Sequence, residues 1–134
     1  MSSFTAATVL VVEDDAATRE MYRQALTASG HRTIAVSDGL GALRHLEGDR
    51  PDVVVLDLML PSIGGYDVYK ELRAHPDTCE IPVIIVTGSD ARDLEPHEFR
   101  FFLRKPVSPD TLTRIVEDAL HWPLPASLAF SVPS

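Results

Sequence analysis

At 134 residues the chain has room for one domain with a single sizeable core. Its apolar (45%) and charged (24%) fractions are those of an ordinary globular protein, and a formal net charge of -8 disfavours direct contact with nucleic acid or anionic lipid. A lone cysteine, Cys79, excludes an intrachain disulfide, no apolar run nears the ~18 residues of a membrane span, and Met1-Ser2-Ser3-Phe4 lacks signal-peptide character, so a cytoplasmic protein without membrane insertion is expected.

Two periodicities alternate along the chain. Thr8-Val9-Leu10-Val11-Val12 opens as a β-branched run, apolar at successive positions, the pattern of a parallel strand covered on both faces. Met21, Ala25 and Leu26 mark a first helix, which Gly30 stops. A weaker strand, Thr33-Ile34-Ala35-Val36, precedes a second helix marked by Leu40, Leu43 and Leu46 up to Gly48. Asp52-Val53-Val54-Val55-Leu56 reads as the third strand, Val68 and Leu72 as the third helix, and Ile81-Pro82-Val83-Ile84-Ile85-Val86 as the fourth strand. Between residues 89 and 98 apolar residues are few and Pro96 interrupts them, so a fourth helix there is expected to be shortened or irregular. Phe99-Arg100-Phe101-Phe102-Leu103 gives a weak fifth strand. A last helix carries Leu112, Ile115, Val116, Ala119 and Leu120, with Ser108 as N-cap before Pro109.

This order predicts an α/β fold: a doubly wound, five-stranded parallel sheet in the flavodoxin-like order 2-1-3-4-5, with helices on both faces. Residues 1–7 read as an N-terminal tail, 8–121 as the domain, and 122–134 as a proline-containing C-terminal tail.

In such a fold the ligand site lies beyond the carboxyl ends of the strands. The first strand delivers Glu13, Asp14 and Asp15 there, the third Asp57, the fourth Thr87 and the fifth Lys105. Any one of these alone reads as an ordinary solvated side chain. Together they are not ordinary. Carboxylates gathered at ~4 Å repel by roughly 4 kcal/mol per pair at an effective dielectric near 20, and Lys105 supplies one compensating charge. A hard divalent cation such as Mg²⁺, which binds one or two carboxylates together with phosphate oxygens, completes the set and argues for a phosphoryl site. Asp15 reads as the N-cap of the first helix, outside the metal ligands. The five histidines have no i, i+4 pair and read as surface residues.

Val-Val-Glu13-Asp14-Asp15, Val-Val-Val-Leu-Asp57-Leu-Met-Leu-Pro61, Ile-Ile-Val-Thr87-Gly88 and Leu-Arg-Lys105-Pro106 resemble the four signature segments of response-regulator receiver domains of two-component signal transduction. The Gly64-Gly65 pair fits too, and the likeness runs from about Thr8 to Leu120. The resemblance implies that Asp57 accepts a phosphoryl group from a histidine kinase or a histidine phosphotransfer protein. It further implies that Glu13, Asp14, Asp57 and the backbone carbonyl of Met59 hold Mg²⁺ (or Mn²⁺), while Lys105 and Thr87 contact the phosphoryl oxygens. Lys105-Pro106 would be a cis bond, Phe102 the aromatic switch, and the output a downstream protein partner. Catalysis would be confined to the domain's own phosphorylation and dephosphorylation. An aspartyl-intermediate phosphatase is disfavoured because Met59 stands where such enzymes place an acid. An inert binding module is the other alternative. Seventeen residues separate Thr87 from Lys105, about one helical turn fewer than the family pattern, which puts the usual output face in doubt. No effector domain is read from the sequence, so a stand-alone or excised receiver is expected.

Overall fold

A computed structural model describes residues 6–60, 63–88 and 99–121. In chain order the elements are β1 (Thr8–Val12), α1 (Ala16–Ala28), β2 (Arg32–Val36), α2 (Gly39–Gly48), β3 (Val53–Asp57), α3 (Gly65–Ala74), β4 (Val83–Thr87), β5 (Phe101–Arg104) and α4 (Pro109–Leu120). The strands form one five-stranded sheet in the order β2-β1-β3-β4-β5, every pairing parallel. That is the expected flavodoxin-like order. The residues expected to hold a shortened helix between β4 and β5, Pro61 of the second signature segment, and the tail from 122 onward lie outside the described residues.

The sheet is hydrophobic on both faces because alternate residues of each central strand feed opposite cores. Val9, Val11, Val53, Val55, Ile84 and Val86 pack with Tyr22 and Leu26 of α1 and with Leu112, Val116 and Ala119 of α4. Leu10, Val12, Val54, Leu56, Val83 and Ile85 pack with Ala42 of α2 and with Val68 and Leu72 of α3. Fully burying a side chain of this size stabilises the fold by roughly 1.5–3 kcal/mol, so two such layers fix which helix lies on which face.

The helices start and stop where the sequence chemistry dictates. Asp15 accepts from Thr18 N (2.9 Å), Asp38 from Gly41 N (2.8 Å) and Ser108 from Thr111 N (3.1 Å), capping α1, α2 and α4. Gly30, at φ 97, ends α1: its N–H bonds to Thr27 O and that of His31 to Leu26 O, the paired bonds of a Schellman motif.

Some expectations shift. β4 begins at Val83, not Ile81, since Pro82 has no N–H to give the ladder, and β5 begins at Phe101. In α2, Leu43 and Leu46 pack against the second core, but Leu40 is exposed and Ala42 occupies the buried position. His31 is not a surface residue. Its ring is buried, with Nδ1 accepting from Ala7 N (3.2 Å) and Nε2 2.9 Å from Glu117 Oε2, tying the start of β2 to α4. Among the described residues no helix is long and apolar enough to cross a membrane.

Candidate functional site

Parallel register brings the carboxyl ends of the central strands side by side. Val12 pairs with Leu56, so the next residues, Glu13 and Asp57, come side by side at the carboxyl end of the sheet. Asp57 pairs with Val86, which places Thr87 one step beyond, and Thr87 pairs with Arg104, so that Lys105 follows. Lys105 N also donates to Thr87 O (2.8 Å), anchoring the lysine to the end of β4. Residues far apart in sequence thus meet because of strand order.

Side-chain oxygens of Glu13, Asp14 and Asp57 all lie within 4.8 Å of one another. Glu13 and Asp57 are buried (1% and 3% exposed), whereas Asp14 faces solvent. Asp57 is held at both oxygens: Oδ1 accepts from Met59 N (2.9 Å) and Oδ2 from Lys105 Nζ (3.0 Å). Lys105 Nζ also forms an ion pair with Glu13, 2.8 Å from Oε1. Glu13 Oε2 accepts from Asp15 N (3.1 Å). Thr87 is fully buried, and its Oγ1 has no hydrogen-bond partner among the described residues.

A buried hydroxyl left without a partner at the end of a strand normally costs free energy of about 1–3 kcal/mol. That of Thr87 lies at the same end of the sheet as the acidic cluster. Lys105-Pro106 is cis, and Asp15 acts as the α1 cap, its side chain turned to Thr18 and away from the cluster.

Residues 9–117 match the family model of the response regulator receiver domain. The chain belongs to the response regulator receiver family. Among its relatives, the response regulator MprA of Mycobacterium ulcerans is 39% identical over 83 residues, covering 62% of this chain and 35% of that protein. This receiver therefore aligns with about a third of the curated relative. The chemotaxis response regulator CheY4 of Vibrio cholerae superposes with a TM-score of 0.79 at 26% identity, covering 87% of this chain and 100% of that one. The receiver domain of a signal transduction histidine kinase from Syntrophus aciditrophicus gives 0.79 at 31% identity, with 96% of each chain covered.

A divalent cation fits the donor set of this receiver. Three carboxylates face one ammonium, leaving two negative charges to be met, and oxygen donors suit a hard ion. Burial raises the Glu13 carboxyl above its ordinary 4.5; Lys105 and the Asp15 N–H pull it back, while Asp57 adds to the rise. At Lys105 burial disfavours the ammonium, but Glu13 and Asp57 outweigh it and hold its pKa above the usual lysine value. This lysine stays charged throughout the physiological range.

The Glu13 shift has a definite sign. A carboxyl whose pKa is raised on folding binds its proton better when folded, so its stabilisation is complete below 4.5 and is lost as pH rises through the folded value. Metal-free protein should therefore lose stability through this group as pH rises from 4.5 through the raised folded value. The difference in melting temperature between wild type and Glu13→Gln across that window isolates it from the histidines. Mg²⁺ should flatten the slope, because a bound cation favours the ionised form.

Met59 presents its N–H to Asp57 while its side chain is 56% exposed. Phe101 and Phe102 point to opposite sheet faces, the first packing on the α1–α4 core and the second on the α2–α3 core. Phe102 stacks on Phe99 (6.0 Å between centroids) and lies under the Arg104 guanidinium. Two residues close to the pocket escaped the sequence reading. Tyr22 is buried in the α1 core, its hydroxyl pushed up to about 12 by burial and by Glu13. Arg19 donates from Nη1 to the carbonyls of Glu13 (3.0 Å) and Asp14 (3.3 Å). Neither lies at a strand end, the signal that drew attention to Glu13, Asp14, Asp57, Thr87 and Lys105.

Proposed function

We propose that this receiver accepts a phosphoryl group on Asp57 from a histidine kinase or a histidine phosphotransfer protein, in a Mg²⁺-dependent reaction. The observation that carries the reading is the state of Asp57: buried, tethered at both oxygens, and within 4.8 Å of the side-chain oxygens of Glu13 and Asp14. An Asp oxygen attacks phosphorus, the bond from phosphorus to the donor breaks, and the leaving group takes the electron pair. Met59 N–H and Lys105 orient the carboxylate for that attack. Glu13, Asp14, Asp57 and the Met59 carbonyl would hold the cation. Bound there, Mg²⁺ (or Mn²⁺) neutralises charge on the transferring group and aligns it.

Installing the phosphoryl group adds negative oxygens beside Lys105, whose ammonium is fixed in place, and within the neighbourhood of the idle Thr87 hydroxyl. Drawing Thr87 toward a new acceptor would loosen the end of β4, and Phe102 on the paired strand would follow as the switch residue, exposing a changed surface to a downstream protein. The reading makes the domain a cytoplasmic signalling module whose chemistry is confined to its own phosphorylation and dephosphorylation, without direct nucleic-acid contact.

Incubation with acetyl phosphate or phosphoramidate tests this. Intact-mass measurement should show one added phosphoryl group with Mg²⁺ and none with EDTA. Unmodified protein in saturating donor and Mg²⁺ would refute the reading, and sustained turnover of a phosphomonoester would replace it with a hydrolase.

A further inference from the structure

We infer that Arg19 is a positioning residue for the metal site: it sets the direction of the Asp14 carboxylate by clamping the peptide groups on either side of it. The inference rests on the proposed metal-holding role of Glu13 and Asp14 and deepens it. Of the three clustered carboxylates, Glu13 is fixed by Asp15 N–H and Lys105, and Asp57 by Met59 N–H and Lys105. Asp14 is exposed, and its carboxylate has no hydrogen bond to any described residue. Its orientation therefore depends on its backbone.

Arg19 supplies that restraint. Nη1 lies 3.0 Å from the carbonyl of Glu13, which belongs to the peptide before Asp14, and 3.3 Å from the carbonyl of Asp14, which belongs to the peptide after it. Holding both planes fixes φ and ψ of Asp14, and with them the direction of its Cα–Cβ bond. The second plane is held on its other edge too, because its N–H is the Asp15 donor to Glu13 Oε2. One guanidinium and one carboxylate thus grip the same loop from opposite sides.

Two features show that this is more than a surface arginine. The side chain reaches back past the start of α1, where the helix dipole disfavours a cation. Nor does it take a carboxylate in exchange: among the described residues no acidic side chain lies within ion-pair distance of it, and its partners are main-chain carbonyls. The α1 cap holds Arg19 in register, since Arg19 N donates to Asp15 O (2.8 Å) while the Asp15 side chain takes Thr18.

The charge and the clamp make opposite predictions, which makes the test decisive. Removing a positive charge beside an acidic pocket would by itself tighten cation binding. Removing the clamp loosens it. Titration of the phosphate-free protein with Mg²⁺ alone, followed by calorimetry, should show Arg19→Ala weakened by about tenfold, the usual scale for groups that orient a ligand. Arg19→Lys, which keeps a donor within reach of the carbonyls, should recover most of the loss. In acetyl phosphate labelling the apparent Mg²⁺ requirement should rise while the limiting rate at saturating Mg²⁺ stays that of wild type. Arg19→Met, which keeps the apolar stem, repeats the comparison if alanine lowers the metal-free melting temperature. Mg²⁺ binding in the alanine or methionine variant as tight as wild type or tighter, or a depressed limiting rate, would overturn the inference. Wild type that binds no Mg²⁺ would instead overturn the proposed function on which it stands.

Discussion

Asp57→Asn is expected to abolish phosphoryl incorporation from acetyl phosphate while leaving the fold intact. Asparagine keeps an oxygen that can accept from Met59 N–H or Lys105, so the pocket's hydrogen bonds survive in part. What it loses is the anionic nucleophile. The variant also lowers the charge imbalance of the cluster from two uncompensated negatives to one. Carboxylates at this spacing repel by roughly 3–4 kcal/mol per pair before screening, so the metal-free variant should melt no lower than wild type. The gain in melting temperature on adding Mg²⁺ should shrink, since one of the three anionic donors has become neutral. Labelling retained by Asp57→Asn would move the phosphoacceptor elsewhere.

Gly65→Ala is expected to cost the most stability. A Cβ built at Gly65 would stand 2.1 Å from the carbonyl oxygen of Asp57 and 2.5 Å from Leu58 Cα. Both are backbone atoms at the end of the central strand, with no flexible side chain to yield. Gly65 N also donates to Leu58 O (3.3 Å), so α3 starts in contact with the loop that carries Asp57 and Met59. To admit a methyl group, α3 must move off β3, dragging Val68 and Leu72 out of the core. The expected loss is about 3 kcal/mol or more, a fall in melting temperature of order 10 °C, with reduced labelling because the Asp57 loop shifts. Gly48→Ala is the control: nothing lies within 4 Å of a Cβ there, and alanine at a helix end should be neutral or slightly stabilising. Equal melting temperatures for the two variants would show that the close approach is absent in solution.

These two predictions also mark what could and could not be read from the amino acids alone. The acidic site was legible because parallel strands must be buried on both faces. Val9 to Val12, Val53 to Leu56 and Val83 to Val86 are apolar without interruption, so the first polar residue after each run falls at the carboxyl end of the sheet. Glu13, Asp57 and Thr87 all follow that rule. Helix faces were less legible. The leucine spacing of α2 named Leu40, but three-residue steps drift around a helix of 3.6 residues per turn, and the smaller Ala42 holds the buried position. His31 looked like a surface residue because its partners, Ala7 and Glu117, are far off in sequence. Gly65 and Arg19 owe their importance to through-space approaches to a loop, and spacing along the chain carries no record of such contacts. Phe102 takes its expected role from the family resemblance alone, whereas its environment, stacked on Phe99 over the α2–α3 core, follows from strand alternation.

Under the proposed function, Asp57, Lys105 and Thr87 converge on a single phosphoryl position that depends on a divalent cation. Beryllofluoride, a stable mimic of the phosphoryl group, tests it most directly when binding is followed by fluorine and amide NMR. A bound fluorine signal is expected only with Mg²⁺ present, with amide shifts at Met59, Gly88 and Lys105 and a slowly exchanging Thr87 hydroxyl. No bound signal in saturating Mg²⁺, or the same signal from Asp57→Asn, would contradict it.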